Sequence, residues 1–213
     1  LTLAGKHNFE ALALTEYSDV HSTLLNAQST NSITNEIQEL SSSEASLGSQ
    51  SFDYYRISYL GRLNYNYDGK YLFSASLRTD ASSRFGANNR WGTFPSVSVG
   101  WNIAKEAFMS SVPSISNLKL RASWGMAGND KIPDYSYSTS LTSDMYYVIN
   151  DLPVVGTTPG GAANPDLKWE ETTMTNIGLD LGLFNNQFTL SAEYYMNSSE
   201  DLLMQVPLPE SIG

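Results

Sequence analysis

Cysteine is absent from the 213-residue chain, so disulfide frameworks, thiolate metal sites and cysteine nucleophiles are excluded. Long apolar segments are also missing: no run of about 18 apolar residues occurs, and this excludes a transmembrane helix. A strand that crosses a bilayer as part of a barrel needs only about 9–11 alternating residues, so a membrane location stays open.

Basic residues are scarce. The chain has 12 Lys and Arg against 22 Asp and Glu, and its formal net charge is −10. Such a chain repels phosphate backbones, so we expect no nucleic-acid partner. No basic cluster of the kind that binds anionic lipid or RNA occurs either. Because residue 1 is Leu and no signal peptide follows it, we expect the chain to be a piece of a longer protein.

The sequence does show strict alternation of apolar and polar residues, the mark of half-buried β-strands. In 55–67, for example, Tyr59 and Leu63 lie on the odd, apolar parity, and Arg62 and Asn64 lie on the even, polar one.

Tight-turn signals stand at 68–70 and 185–186, and longer polar loops are predicted at 18–52, 82–90 and 129–166, the last with a possible strand near 144–149. A connector of intermediate length is expected at 104–117. The predicted strands cover about 8–17, 55–67, 71–81, 91–103, 118–128, 167–184 and 187–197. We therefore predict an all-β fold of about seven antiparallel strands, with 1–213 as one domain.

Alternation alone does not separate a membrane barrel from a soluble β-sandwich. The predicted strands are longer than the 5–6 residues usual in soluble domains, which favours the barrel. The tryptophans favour it too, since all four lie on the apolar parity near strand ends, as expected of aromatic belts at a lipid interface. These predicted lipid-interface residues are Trp91, Trp101, Trp124 and Trp169.

Several stretches, taken in order and spacing over about 52–210, resemble the SusC/RagA family of TonB-dependent outer-membrane transporters of the Bacteroidetes. They are GRLNY at 61–65, YLFSASLRTD at 71–80, SSRFG at 82–86, NRWG at 89–92, FPS at 94–96, LKLRASWG at 118–125, NPDLKWE at 164–170, TNIGLD at 175–180, DLL at 201–203 and PLP at 207–209. The first fifty residues match only loosely.

The resemblance implies that the chain is part of the C-terminal half of a 22-stranded transmembrane barrel with long extracellular loops in the bacterial outer membrane. It also implies an importer of glycans or oligopeptides, covered by a SusD-like surface lipoprotein and powered by the TonB complex. The plug domain and the TonB box that this coupling needs are not in this chain. Two alternatives stay open: a structural or adhesive outer-membrane barrel, and a soluble β-sandwich that binds a ligand.

Catalytic signals are weak, and we expect no enzyme activity, no cofactor and no metal. His7 and His21 have no carboxylate at ligand spacing in the sequence. Glu170 and Glu171 are adjacent on a predicted strand, so their side chains face opposite ways and do not form an acid–base pair.

Charged residues on the polar parity are the candidate site. In a barrel they point into the lumen, where they either contact a polar solute or the plug, or pair with one another because charge on the lipid face costs about 2–4 kcal/mol near the midplane. We favour mutual pairing for any single residue. The candidates are Arg62, Arg78, Asp80, Lys119, Arg121, Asp180 and Glu193.

Overall fold

The computed structural model describes residues 1–30, 44–139, 141–149, 151–159 and 163–204. Its strands are β1 (Thr2–Leu3), β2 (His7–Thr30), β3 (Glu44–Tyr67), β4 (Tyr71–Ser82), β5 (Trp91–Asn102), β6 (Ile115–Asn129), β7 (Leu141–Ile149), β8 (Leu152–Pro159), β9 (Glu170–Leu183) and β10 (Phe188–Glu200). Two short 3-10 helices, Ile103–Lys105 and Ala107–Ser111, connect β5 to β6. Within these ranges no helix has the length and apolar character needed to cross a membrane.

Eight strands form one antiparallel sheet in the order β1-β2-β3-β4-β5-β6-β9-β10. The remaining two, β7 and β8, form a separate hairpin inside the connection between β6 and β9, which contains the strand predicted near 144–149. The sheet does not close on itself. The all-β, antiparallel fold predicted from alternation is therefore confirmed, and the open sheet fits the expected part of a larger barrel.

The two faces of the sheet differ in chemistry along its whole width. Residues directly opposite each other on neighbouring strands share a face. One row of such partners is Phe9, Tyr65, Phe73, Val99, Ala122, Ile177 and Tyr194. The row one residue along is Glu10, Asn64, Ser74, Ser98, Ser123, Asn176 and Tyr195. We call the side of the first row the apolar face and the side of the second row the polar face.

The two edges, where strands end, also differ. At the turn edge the chain reverses at 4–6, 68–70 and 184–187 and through the 3-10 helices. Positive φ angles at Asp68 (53°) and Gly69 (65°) give the tight turn that the Asp-Gly pair predicts. Backbone bonds join these turns, for example from the Asn102 amide to the Lys70 carbonyl at 2.7 Å. At the opposite loop edge lie 83–90, the described parts of 130–169, and residues 201–204 after β10.

The predicted loop at 18–52 is wrong over much of its length. Strand β2 continues to Thr30 and β3 begins at Glu44, with an unbroken register from His7–Tyr67 to Thr30–Glu44. Residues 31–43 lie outside the described part. The Ser- and Thr-rich ends of these strands show no alternation, because a ribbon that is wet on both sides needs no apolar face. Side-chain alternation therefore gave no strand signal in 18–30 and 44–52.

Candidate functional site

The strand register places all seven predicted charged residues on the polar face. Arg62 lies opposite Ser76, and Lys119 lies opposite Asp180. Gly178 on β9 has Arg121 on β6 as its partner on one side and Glu193 on β10 as its partner on the other. Alternation thus predicted the shared face correctly, and the structure adds which residues pair.

One group, the loop-end ion cluster, consists of Glu16, Arg56, Arg78 and Asp80. The Nε of Arg78 donates to Asp80 Oδ2 at 2.8 Å, and its Nη2 donates to the Ser58 hydroxyl at 3.1 Å. Glu16 lies 3.7 Å from Arg56 and 3.8 Å from Arg78. Asp80 and Ser58 are buried at 5% and 1% exposure. Asp80 is therefore held by Arg78, and its environment is that of a buried ion pair.

A second group, the turn-end ion cluster, consists of Arg121, Asp180 and Glu193. The Arg121 guanidinium lies 3.0 Å from Glu193 and 3.4 Å from Asp180, and the Ser191 hydroxyl donates to Asp180. Gly178 lies under this guanidinium, since a Cβ there would meet the Arg121 side chain at 2.6 Å. The missing side chain leaves space for Arg121 to reach both carboxylates.

Between the two clusters the polar face is lined with amides and hydroxyls. A concavity of about 560 Å³ is lined by polar residues such as Asn64, Ser98 and Asn176, by the cations Lys119 and Arg121, and by apolar residues such as Phe73 and Val99. The Oδ1 atom of Asn176 is buried and has no hydrogen-bond partner within the described residues. Such a surface offers donors and acceptors to a polar molecule without a fixed charge.

Three of the four tryptophans lie on the apolar face as predicted. Trp91, Trp101 and Trp124 are 54%, 38% and 40% exposed on the isolated sheet. Their register partners include Ala81, Leu120 and Val97, respectively.

The prediction for Trp169 is wrong. Its side chain is 6% exposed and packs against Phe85 and Phe94, with ring centroids 5.2 and 5.4 Å away. Its indole N–H donates to the Arg90 carbonyl at 3.0 Å. Trp169 immediately precedes β9, so the alternation of that strand no longer sets its direction. We call Phe85, Phe94 and Trp169 the loop cluster.

The loop edge is further tied together by Asp130. Its Oδ2 accepts from the Tyr54 hydroxyl at 2.7 Å and from the Ser82 hydroxyl at 2.8 Å. Arg84 donates to the Asp130 carbonyl at 3.2 Å and to Asp134 at 2.8 Å, and lies 4.3 Å from the Tyr54 ring centroid. The 82–90 segment is thus an ordered connection packed on the start of the 130–169 connection.

The hairpin of β7 and β8 carries apolar side chains on both faces. Tyr146 pairs with Val155, and Tyr147 pairs with Val154 on the other face. Tyr146 and Val148 are 71% and 73% exposed. An isolated two-stranded hairpin is only marginally stable in water, so these exposed apolar side chains form a candidate contact surface.

At the turn edge, Glu106 joins the connector between the 3-10 helices to two strands. Its carboxylate accepts from the Tyr71 hydroxyl at 2.7 Å, from the Trp101 indole at 3.1 Å and from Lys70 at 3.3 Å. These hydrogen bonds, first the one from Tyr71, hold the pKa of the Glu106 carboxyl below its usual range.

Both histidines have partners that the sequence did not indicate. His21 Nδ1 lies 2.6 Å from Asp53, its direct cross-strand partner, and His7 Nδ1 lies 2.9 Å from the Tyr65 hydroxyl. Across the described ranges no group of three or more His, Asp or Glu side chains is placed to hold a metal ion.

The predicted candidates do not include Glu16, Arg56 and Asp130. Arg56 lies on the polar parity of 55–67 together with Arg62, so alternation assigns its face but not its partner. The partners of Glu16 and Asp130 are set by pairing between distant segments, which alternation does not show.

Comparison with known proteins adds an independent finding. The model of the family described as "TonB dependent receptor-like, beta-barrel" matches residues 2–213. TonB-dependent receptor P3 of Formosa agariphila is 37% identical over 213 residues, which cover 98% of this chain and 21% of that protein. TonB-dependent receptor SusC of Bacteroides thetaiotaomicron is 40% identical over 164 residues, which cover 72% of this chain and 16% of that protein.

Among solved structures, that of the RagAB peptide transporter superposes with a TM-score of 0.86 at 29% identity, over 100% of this chain and 24% of that one. The chain spans 21% and 16% of the length of these two curated relatives.

Proposed function

Because the chain belongs to the TonB-dependent receptor-like β-barrel family, we propose that it forms part of the wall of a bacterial outer-membrane importer of oligosaccharides or oligopeptides. The remainder of the full-length protein supplies the other strands, the plug and the segment that the TonB complex engages. The polar face lines the solute path, and the apolar face contacts outer-membrane lipid.

The observation that carries this proposal is the uninterrupted apolar face. Tyr59, Leu77 and Val99 are 51%, 53% and 51% exposed, and no second layer of the described chain covers them. Soluble proteins rarely leave more than a few hundred Å² of contiguous apolar surface in water. Lipid covers such a face without any protein partner, and the polar face then meets the water of the lumen.

The ion clusters fit this placement. Because a charge on the lipid face costs about 2–4 kcal/mol near the midplane, the charged residues belong on the lumen side. There Arg78 with Asp80, and Arg121 with Glu193, neutralise each other. Their main role is to keep the wall polar and its charges paired.

Spin labels on the full-length protein in bilayers test the faces. Labels at Leu63, Val99 and Ile177 should be reached by a lipid-soluble quencher. Labels one residue away, at Arg62, Ser98 and Gly178, serve as matched controls and should be reached only by a water-soluble one. A mixed or reversed pattern would remove the barrel-wall assignment.

We also propose that the turn edge is periplasmic and the loop edge extracellular, since outer-membrane barrels have short periplasmic turns and long outer loops. Epitope tags at 69 and 155 in intact cells test this orientation. Antibody labelling at 155 without labelling at 69 is expected, and the opposite result would invert the topology.

The hairpin of β7 and β8 is proposed to dock a SusD-like lipoprotein over the entrance. Its apolar side chains on both faces support this, as does the entropic cost of ordering a long connection, about 1–2 kcal/mol per residue. Packing on a partner offsets that cost.

Deleting 135–160 from the full-length protein tests the docking proposal. Correct insertion, shown by the heat-dependent gel mobility of the barrel, should be kept while lipoprotein retention or growth on the polymeric solute is lost. Val148→Thr with Val155→Thr is a milder variant that preserves β-branched shape and should weaken retention in the same direction. Unchanged retention and growth would show that the hairpin neither docks a lid nor lines the entrance.

A further inference from the structure

Arg62 differs from the other arginines of the polar face because it lacks a carboxylate partner. Arg56, Arg78 and Arg121 each lie within 4 Å of Glu16, Asp80, Asp180 or Glu193. Within the described ranges, Arg62 makes neither an ion pair nor a hydrogen bond, and its cross-strand neighbours are Leu12 and Ser76. An unpaired guanidinium has five N–H donors available for a bound anion.

Two hydroxyls share its row on the polar face. Arg62 lies opposite Ser76, Ser76 lies opposite Ser96, and the two hydroxyl oxygens are 2.7 Å apart. In that pair one hydroxyl donates to the other, so the second keeps its proton for an outside acceptor. Arg62 and this serine pair therefore present cationic and neutral donors side by side.

These residues border a cleft of about 360 Å³ that also has apolar lining residues. Leu60, Phe94 and Met126 line it together with Arg62, Ser76 and Ser96. Its other charged lining residues already have partners: Arg56 with Glu16, Arg78 with Asp80, and Asp130 with the hydroxyls of Tyr54 and Ser82. The cleft thus contains one unpaired cation beside apolar side chains.

We propose that this cleft binds a carboxylate of the transported solute, held by Arg62 and by the one free hydroxyl proton of the Ser76–Ser96 pair, with an apolar group beside it on Leu60 and Phe94. This inference rests on the proposed import function and adds a specificity-determining residue to it. A guanidinium pairs with a carboxylate through two parallel hydrogen bonds, which a neutral solute does not provide.

Binding to the purified full-length protein tests the proposal with defined probes. One pair is a heptapeptide ending in leucine with a free carboxylate, and the same peptide amidated. The other pair is a trigalacturonate and a neutral galactose trisaccharide. The unsubstituted protein should bind at least one carboxylate probe about tenfold more tightly than its neutral counterpart, a difference measurable by calorimetry. Which acid binds identifies the source of the carboxylate.

Arg62→Gln should abolish that preference and leave the affinity for the neutral probe unchanged, while Arg62→Lys should keep part of it. Lys6→Gln is the control, since it removes an exposed cation at the turn edge that does not line the cleft. The absence of a carboxylate preference in the unsubstituted protein would overturn the proposal. So would equal weakening of both members of a probe pair by Arg62→Gln, or a lowered melting temperature with unchanged preference, which would mean that Arg62 serves the fold.

Import is measured separately, by growth on the polymeric solute. If the Arg62→Gln protein loses the carboxylate preference while cells still import a neutral oligomer, both the subsite and the transporter stand. If import fails for every solute even with unsubstituted protein, the proposed function fails, and the binding data remain a separate result.

Discussion

The turn edge and the loop edge of the sheet are stabilised by different means. At the turn edge the connections are short, and backbone hydrogen bonds such as Asp68 to Lys6 at 2.7 Å join one turn to the next. At the loop edge the chain builds a small hydrophobic core from Phe85, Phe94 and Trp169, the buried apolar residues of the described chain. A single strand layer has no interior of its own, so a core forms where long connections fold over one another.

Replacing Trp169 should have the largest effect, because it removes part of the hydrophobic core that stabilises the loop edge. Trp169→Ala removes a ring that contacts both Phe85 and Phe94, and we expect a loss of about 3–5 kcal/mol in local stability, as for other buried aromatic truncations. Hydrogen exchange of 83–90 and 163–169 in the full-length protein measures it. Trp91→Ala, at an exposed position, is the control and should leave these amides protected. Equal deprotection by both variants would argue against a loop-edge core.

A methyl group at Gly128 should destabilise the same core by overpacking it. The Phe94 ring occupies the place where a Cβ of Gly128 would lie. Gly128→Ala therefore displaces the ring, and we expect a cost of about 1–3 kcal/mol from overpacking. Gly61→Ala is the matched strand control because nothing lies within 4 Å of its Cβ position. Thermal melting of both variants should separate them, and similar melting temperatures would contradict the packing described.

The hydrogen bonds to Asp130 can be measured with a double-mutant cycle. Tyr54→Phe and Asp130→Ala each remove the bond between the hydroxyl and the carboxylate, so their effects should overlap by about 1.5 kcal/mol. Tryptic cleavage after the exposed Lys131 reports opening of this segment. Thr79→Ala, on the apolar face, is a control that should not change the cleavage rate. Additive effects in the cycle would mean that the two groups act independently.

The smallest effect is expected at the turn edge, from Glu106→Gln. Because the folded protein lowers the pKa of Glu106, its ionised form adds stability above the ordinary glutamate pKa of about 4.3. That contribution is lost as the pH falls below this value through the lowered pKa. The variant should therefore melt slightly earlier than the unsubstituted protein at pH 7, with the gap closing in acid. A gap that persists in acid would show that charge is not the cause.

Alternation predicted which residues share a face because the side-chain period of a strand is two. It placed Arg121 and Glu193 on one face although they are 72 residues apart. It did not predict that they touch, since contact depends on the register of β6, β9 and β10. Trp169 was misplaced because parity is informative only inside a strand, and Trp169 lies just before one.

The prediction also failed at β2 and β3, and for a related reason. The 18–30 and 44–52 segments have polar side chains on both parities, so they resemble a loop in sequence. The unbroken pairing from His21–Asp53 to Thr30–Glu44 comes from the hairpin's own ladder. Alternation appears only where the two faces of a strand have different environments. In 18–30 and 44–52 both faces are exposed to water, so the pattern does not appear.

Strands β2 and β3 are much longer than the neighbouring strand β4, so they extend beyond it at the loop edge. Strands β2 and β3 have 24 residues each, whereas the neighbouring β4 has 12. At about 3.4 Å per residue the ribbon is roughly 80 Å long and stands roughly 40 Å above the strand beside it. In the proposed orientation, with the loop edge extracellular, the paired segments 18–30 and 44–52 are therefore the part of the sheet that extends farthest from the bilayer.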